Sequence, residues 1–153
     1  MARRPVALAA ALVIVVEAVG IAWLNWFLGL VVENQQMSLA GLDPHAMTVG
    51  SWAAGGLMGL YLLVCGAVLL RTGLRDRAPG GFGRVLLISA AVLHGVLGAF
   101  SVGLVGWPAF AFLTVVLGLL VLTLVAYGKP AGQDGREAGA AGAPAAADGP
   151  SPA

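Results

Sequence analysis

One stretch constrains this chain more than any other. From Pro5 to Val32 the residues are almost all apolar, interrupted by a single carboxylate, Glu17, and a single side-chain amide, Asn25. At about 1.5 Å of rise per residue, a helix of that length exceeds the roughly 30 Å hydrocarbon core of a bilayer. Fifteen Val, Leu, Ile and Phe residues lie between Val6 and Val32. Each favours insertion by roughly 0.3–0.6 kcal/mol, against a cost of about 3 kcal/mol for a carboxylate at the centre, so insertion prevails. Glu17 then needs a partner or a proton, because intramembrane carboxylates face a bundle interior or a water-filled cavity. The run is too long for a signal-peptide core, and Glu33-Asn34-Gln35-Gln36 after it offers no small-residue cleavage site. The segment is therefore expected to be retained.

Three further runs repeat the pattern. The second opens on Asp43-Pro44, a carboxylate at the N-cap followed by a proline at the first helical position, where no amide donor is needed. The third and fourth are separated by Gly106-Trp107, which leaves room only for a tight antiparallel hairpin. With 59% hydrophobic residues the chain falls in the membrane class. The sequence predicts an all-α, four-transmembrane-helix bundle over residues 1–128, with helices at about 5–32, 44–70, 84–105 and 108–127. Residues 129–153 are dominated by Ala, Gly and Pro, a composition that buries too little apolar surface to offset its ordering entropy. They are expected to form a disordered tail.

Basic residues set the expected orientation. All eight Arg and Lys fall in the amino terminus, the central loop or the carboxyl tail, whereas the first loop carries only Glu33, Asp43 and His45. Positive charge stays on the cytoplasmic side, so a multi-pass protein of the plasma (inner) membrane with both termini cytoplasmic is expected. Trp23, Trp26, Trp52 and Trp107 then mark the outer interface, and Phe82 and Tyr127 the inner one. Cys65, the single cysteine, lies within an apolar run and reads as a small hydrophobe.

Chemistry is sparse. Measured along the helices from Arg4, Arg71 and Arg84, the residues Glu17, Tyr61 and His94 lie roughly 20, 15 and 15 Å into the membrane. These three form the candidate intramembrane polar cluster: a carboxylate, a phenol and an imidazole at one level on three helices, able to share protons. The alternative is interhelical glue, in which buried polar side chains fix helix packing at about 1 kcal/mol or less each. On the third helix Ala90, His94, Gly98 and Ser101 form one stripe of mostly small residues beside a second, Ala91, Gly95, Ala99 and Gly103. On the second helix Ser51, Gly55 and Gly59 form another, and such faces let backbones approach closely. Tyr61 lies nearly opposite that stripe.

Several function classes fall away. Asp43 and His45 with Glu33 approach no recognised metal site in number or spacing, and one intramembrane histidine cannot supply bis-histidine haem ligation within a chain. No metal or cofactor is therefore expected. There is no nucleophile motif, phosphate loop or paired-carboxylate arrangement, so no enzymatic activity is expected, and no basic surface suited to nucleic acid. The expected partners are the lipid bilayer, further copies of the chain in a homo-oligomer, or another membrane protein.

Two resemblances bear on this. Glu17-Ala18-Val19-Gly20 in the first of four helices resembles the first helix of the small multidrug resistance transporters, which implies a glutamate that exchanges protons for cationic substrates. The third helix lacks that family's Trp-Gly signature and the first loop is longer. Over its whole length, through Gln35-Gln36-Met37-Ser38-Leu39, Arg75-Asp76-Arg77-Ala78-Pro79 and Leu93-His94-Gly95, the chain more closely resembles small, functionally uncharacterised four-helix integral membrane proteins of actinobacteria. That resemblance implies a fold but no activity. The expectation is a non-enzymatic accessory or interaction protein, with a proton-coupled small-molecule transporter using Glu17 as the alternative.

Overall fold

The computed structural model describes residues 3–36, 38 and 41–128, so the tail expected at 129–153 lies outside the described residues. The described chain is all helical: α1 (Arg3–Gln35), α2 (Pro44–Arg75), α3 (Gly81–Leu104) and α4 (Trp107–Ala126). Each is long and apolar enough to cross a membrane, as the sequence predicts. Helices α1 and α2 continue past their apolar runs because the polar residues at those ends can be hydrated at the membrane surface. They stop where the backbone turns left-handed, at Gln36 (φ 50°) and Asp76 (φ 49°). Asp43 occupies the N-cap of α2, but its carboxylate makes no capping hydrogen bond. Its carbonyl accepts the Met47 amide at 3.1 Å.

The tightest packing joins α1 to α2. A Cβ on Gly59 would lie 3.2 Å from the Ala18 carbonyl oxygen, one on Gly66 2.7 Å from Val15, and one on Gly73 2.9 Å from Leu8. Gly55 is closed by Asn25 in the same way, and Gly29 by Trp52. Gly59, Gly66 and Gly73 recur every seven residues, the period that keeps one seam facing its partner in a left-handed helix pair. Polar groups follow the upper part of that seam. Ser51 Oγ donates to the Asn25 carbonyl at 2.9 Å, Trp52 Nε1 to that of Trp26 at 3.1 Å, and Thr48 Oγ1 to that of Gly29 at 3.2 Å.

Around the bundle α1 packs on α2 and α4, and α3 on α4 and more lightly on α2. Helices α1 and α3 are therefore diagonal, and no Cα of one comes within 8 Å of a Cα of the other. The core fills the half nearest the amino terminus, with Ala7, Ala10, Ala11, Ile14 and Ala18 of α1 against Leu62, Cys65, Leu69, Leu87, Ala90, Val116 and Leu120. On α3 the stripe Ala90, His94, Gly98 and Ser101 is buried throughout. The second stripe is not: Ala91 is buried, Gly95 half-buried, and Ala99, expected to pack, is exposed. A strict four-residue step advances about 40° around a helix at each repeat, so a row that begins in the core rotates out of it.

Three chain segments are tied at the lower end. Arg3 Nε lies 3.0 Å from Asp76 Oδ1, Tyr127 donates to the same carboxylate at 3.0 Å, and the Arg3 guanidinium lies 5.5 Å from the Tyr127 ring centroid. Arg4 donates to the carbonyls of Gly73 and Leu74, the exposed acceptors at the end of α2. With the lower ends level, α1 and α2 at 33 and 32 residues outlast α3 and α4 at 24 and 20. The α1–α2 hairpin thus stands about 15 Å taller than its neighbour.

Two predictions follow from the packing. Gly66→Leu is expected to lower thermal stability in detergent by about 1–3 kcal/mol, through overpacking against Val15. Gly56→Ala, where nothing lies within 4 Å, should leave it unchanged. The Arg3 hydrogen bond holds the Asp76 carboxyl below its ordinary value of 3.8, while burial and the neighbouring Asp76 push the Tyr127 phenol up. Because the Asp76 value is depressed on folding, its contribution is complete above 3.8 and is lost as pH falls through the lower folded value. In a 13Cζ-tyrosine-labelled sample, one of the two tyrosine signals should hold steady from neutral pH to about 4 and move only below it.

Candidate functional site

Glu17 and His94 meet across the diagonal. His94 Nε2 lies 3.0 Å from Glu17 Oε2 and 3.2 Å from Oε1, and the side chains are 2% and 9% exposed for His94 and Glu17. Their backbones are too far apart to touch, so the two long side chains span the gap. The small residues around them make this geometry available. Ala10, Ala18, Ala90 and Gly98 take up little space, which leaves the centre of the bundle open to a carboxylate and an imidazole.

The imidazole is fixed from its other side. His94 Nδ1 lies 2.7 Å from the Ala90 carbonyl oxygen, one turn earlier on α3. A carbonyl only accepts, so Nδ1 carries a hydrogen, and the contact between Nε2 and Glu17 then holds one further proton. With that proton on Nε2 the pair is imidazolium and carboxylate; with it on Glu17 the pair is neutral. Either way the number of hydrogen bonds is the same, so both arrangements fit the same packing. Neither state leaves an unpaired charge in the low-dielectric interior.

Tyr61 stands apart from this pair. Its hydroxyl is 2.8 Å from Ser89 Oγ and donates at 3.4 Å to the Leu86 carbonyl, joining α2 to α3 on another side of the bundle. Of the three residues in the candidate cluster, the fold brings together Glu17 and His94, and gives Tyr61 to Ser89. The helix-packing residues divide similarly. Ser51, Gly55 and Gly59 lie on the α1–α2 seam, while Ala91 is buried and a Cβ on Gly95 would meet Leu117 only at 3.9 Å.

Above Glu17 the bundle opens. A cleft of about 650 Å³ runs between α1, α3 and α4, with Glu17, Gly20, Ile21 and Leu24 on one wall and Leu97, Phe100, Ser101, Leu104 and Phe112 among those opposite. Phe100 is 63% exposed and Leu104 81%, so the cleft faces outward rather than into the core. Its walls are apolar apart from Glu17 and Ser101, and the Ser101 hydroxyl is taken by the Gly98 carbonyl at 2.7 Å. No ladder of polar side chains along these walls leads from the carboxyl to the upper end of the bundle.

Among the described residues no side-chain nitrogen or oxygen that is fully closed off from solvent lacks a partner, and no three His, Cys, Asp or Glu side chains converge on a point. Cys65 is a buried free thiol. Several contacts needed tertiary information: Ser89 as the partner of Tyr61, Asn25 as the acceptor for Ser51, and Arg3 with Asp76 and Tyr127. The seven-residue glycine spacing, legible in sequence, announces the lower part of the α1–α2 seam. Among known proteins, no family model, curated protein or solved structure matches this chain.

The pair can be tested by a double-mutant cycle. Glu17→Leu and His94→Leu alone should each cost about 1–3 kcal/mol by orphaning the other side chain. The double substitution should cost less than the sum of the two, as read from unfolding in detergent.

Proposed function

We propose that this multi-pass membrane protein is a non-enzymatic accessory protein of the plasma membrane, threaded with both termini cytoplasmic. It engages a transmembrane segment of a partner on the face where α1 and α2 rise above α3 and α4. The observation that carries this reading is the mismatch between the hairpins. The taller α1–α2 pair has its upper flank uncovered, with Leu24 and Phe27 exposed along α1, and the apolar cleft, which Leu24 lines, opens at the foot of the step. A helix from another chain laid there would replace the cover that α3 and α4 do not supply, and its own apolar face suits the cleft. The fully satisfied Glu17–His94 pair supports a fixed scaffold beneath that surface.

A photo-crosslinking residue at Leu24 or Phe100 is expected to capture one membrane protein in stoichiometric amount, and the same residue at Leu57, which faces away from the cleft, to capture none. A chain recovered uncrosslinked and monomeric by native mass spectrometry would end this reading. For the orientation, a phosphatase fused in the first loop should be active, and one fused after α2 silent.

One observation favours a second reading. The carboxylate that shares a proton with His94 also lines the cleft, as a proton-coupled small-molecule transporter using Glu17 would require. That reading expects pH-dependent ligand binding, abolished by Glu17→Gln. The accessory reading expects the same variant to retain its crosslinked partner.

A further inference from the structure

At the lower end of the bundle, where α2 ends and α3 begins, a second pocket of about 340 Å³ lies between the two helices. Its rim is basic. Arg71 and Arg75 stand one turn apart on α2, Arg77 follows the left-handed turn at Asp76, and all three residues line the pocket, their side chains without an ion pair or hydrogen bond among the described residues. The acid that sits between them in sequence does not neutralise them, because the Asp76 carboxylate is held by Arg3 and Tyr127.

The pocket also holds an unused hydroxyl. Thr72 is 4% exposed and lines the cavity, yet its hydroxyl makes no hydrogen bond among the described residues. Other buried threonines here do otherwise: Thr48 and Thr123 donate to the carbonyls of Pro44 and Leu119, four residues back. Gly80, Phe82 and Gly83 put the start of α3 on the same wall, and the opening of a helix presents unsatisfied N–H groups to an anion. The remaining lining is apolar: Val68, Pro79 and the ring of Phe82, a residue 79% exposed.

We propose that this pocket is a binding site for the phosphate-bearing headgroup of an anionic phospholipid. Guanidinium forks match phosphate oxygens bidentately, and the Thr72 hydroxyl and α3 amides supply the shorter donors. Basic pockets between transmembrane helices at the cytoplasmic surface suit such headgroups. Val68 and Phe82 commit the site to a lipid rather than to a free phosphate, since they lie where the headgroup gives way to its acyl chains.

The test is native mass spectrometry of the full chain released from nanodiscs of mixed phosphatidylglycerol and phosphatidylcholine. The native chain is expected to retain one phosphatidylglycerol, in preference to phosphatidylcholine by about tenfold, and to keep it in excess inorganic phosphate. Combined Arg71→Gln, Arg75→Gln and Arg77→Gln should abolish that preference, whereas Arg84→Gln, which removes a charge outside the pocket, should preserve it. Should the triple variant fail to fold, Thr72→Val removes a hydroxyl with little change in shape and is expected to lower retention about fivefold. Equal retention by the native chain and a folded triple variant, or by the native chain and Thr72→Val where only that variant folds, would overturn the site. Displacement by inorganic phosphate alone would overturn its assignment to lipid.

Discussion

Hydrocarbon offers no hydrogen bonds, and the structure of this protein is organised by that fact. A carboxylate at the middle of α1 has to find a partner inside the bundle, and the one it finds, His94, stands on the helix diagonally opposite. Because the backbones of α1 and α3 do not meet, the pair makes a direct side-chain link between two helices otherwise joined through their neighbours. Small residues around it, Ala10, Ala18, Ala90 and Gly98, keep the centre open for the two side chains. The imidazole in turn is oriented by the Ala90 carbonyl, so the whole arrangement rests on one turn of α3.

The same rule explains where hydroxyls and amides lie. Asn25 and Asn34 donate to carbonyls one turn back, while Ser51, Thr48 and Trp52 reach across to α1, so the upper seam is bonded as well as packed. Glycine spacing does the equivalent work lower down, where backbones approach closely enough that a methyl group would collide. The α1–α2 pair is consequently the more tightly packed half of the molecule. The α3–α4 pair packs more loosely: a Cβ on Gly95 or Gly98 would meet its neighbour only at 3.9 or 3.8 Å. The cleft opens between α1 of the tighter pair and both helices of the looser one.

Charge divides the two ends. At the lower end Arg3 and Arg4 are engaged within the protein, one with Asp76 and the other with the final carbonyls of α2. Arg71, Arg75 and Arg77 are left facing a pocket. A positive-inside pattern alone would treat these arginines as equivalent. The fold separates them into structural charges and charges available to a ligand, and the left-handed turn at Asp76 lies where that separation occurs.

How much of this was legible beforehand depends on the range of the forces involved. Four apolar runs, each long enough to cross the hydrocarbon core, determined the helices, their number and the antiparallel hairpin at Gly106, because insertion depends on composition summed along a segment. Depth was legible too: counting residues from the arginines put Glu17 and His94 at nearly one level. Rotation was not. Tyr61 shares that level and turns to Ser89, and Ala99 belongs to a small-residue row that rotates out of the core. Which side of a helix faces which neighbour is settled by the joint packing of all four. That packing alone decided that a glutamate on the first helix and a histidine on the third would meet within hydrogen-bond distance.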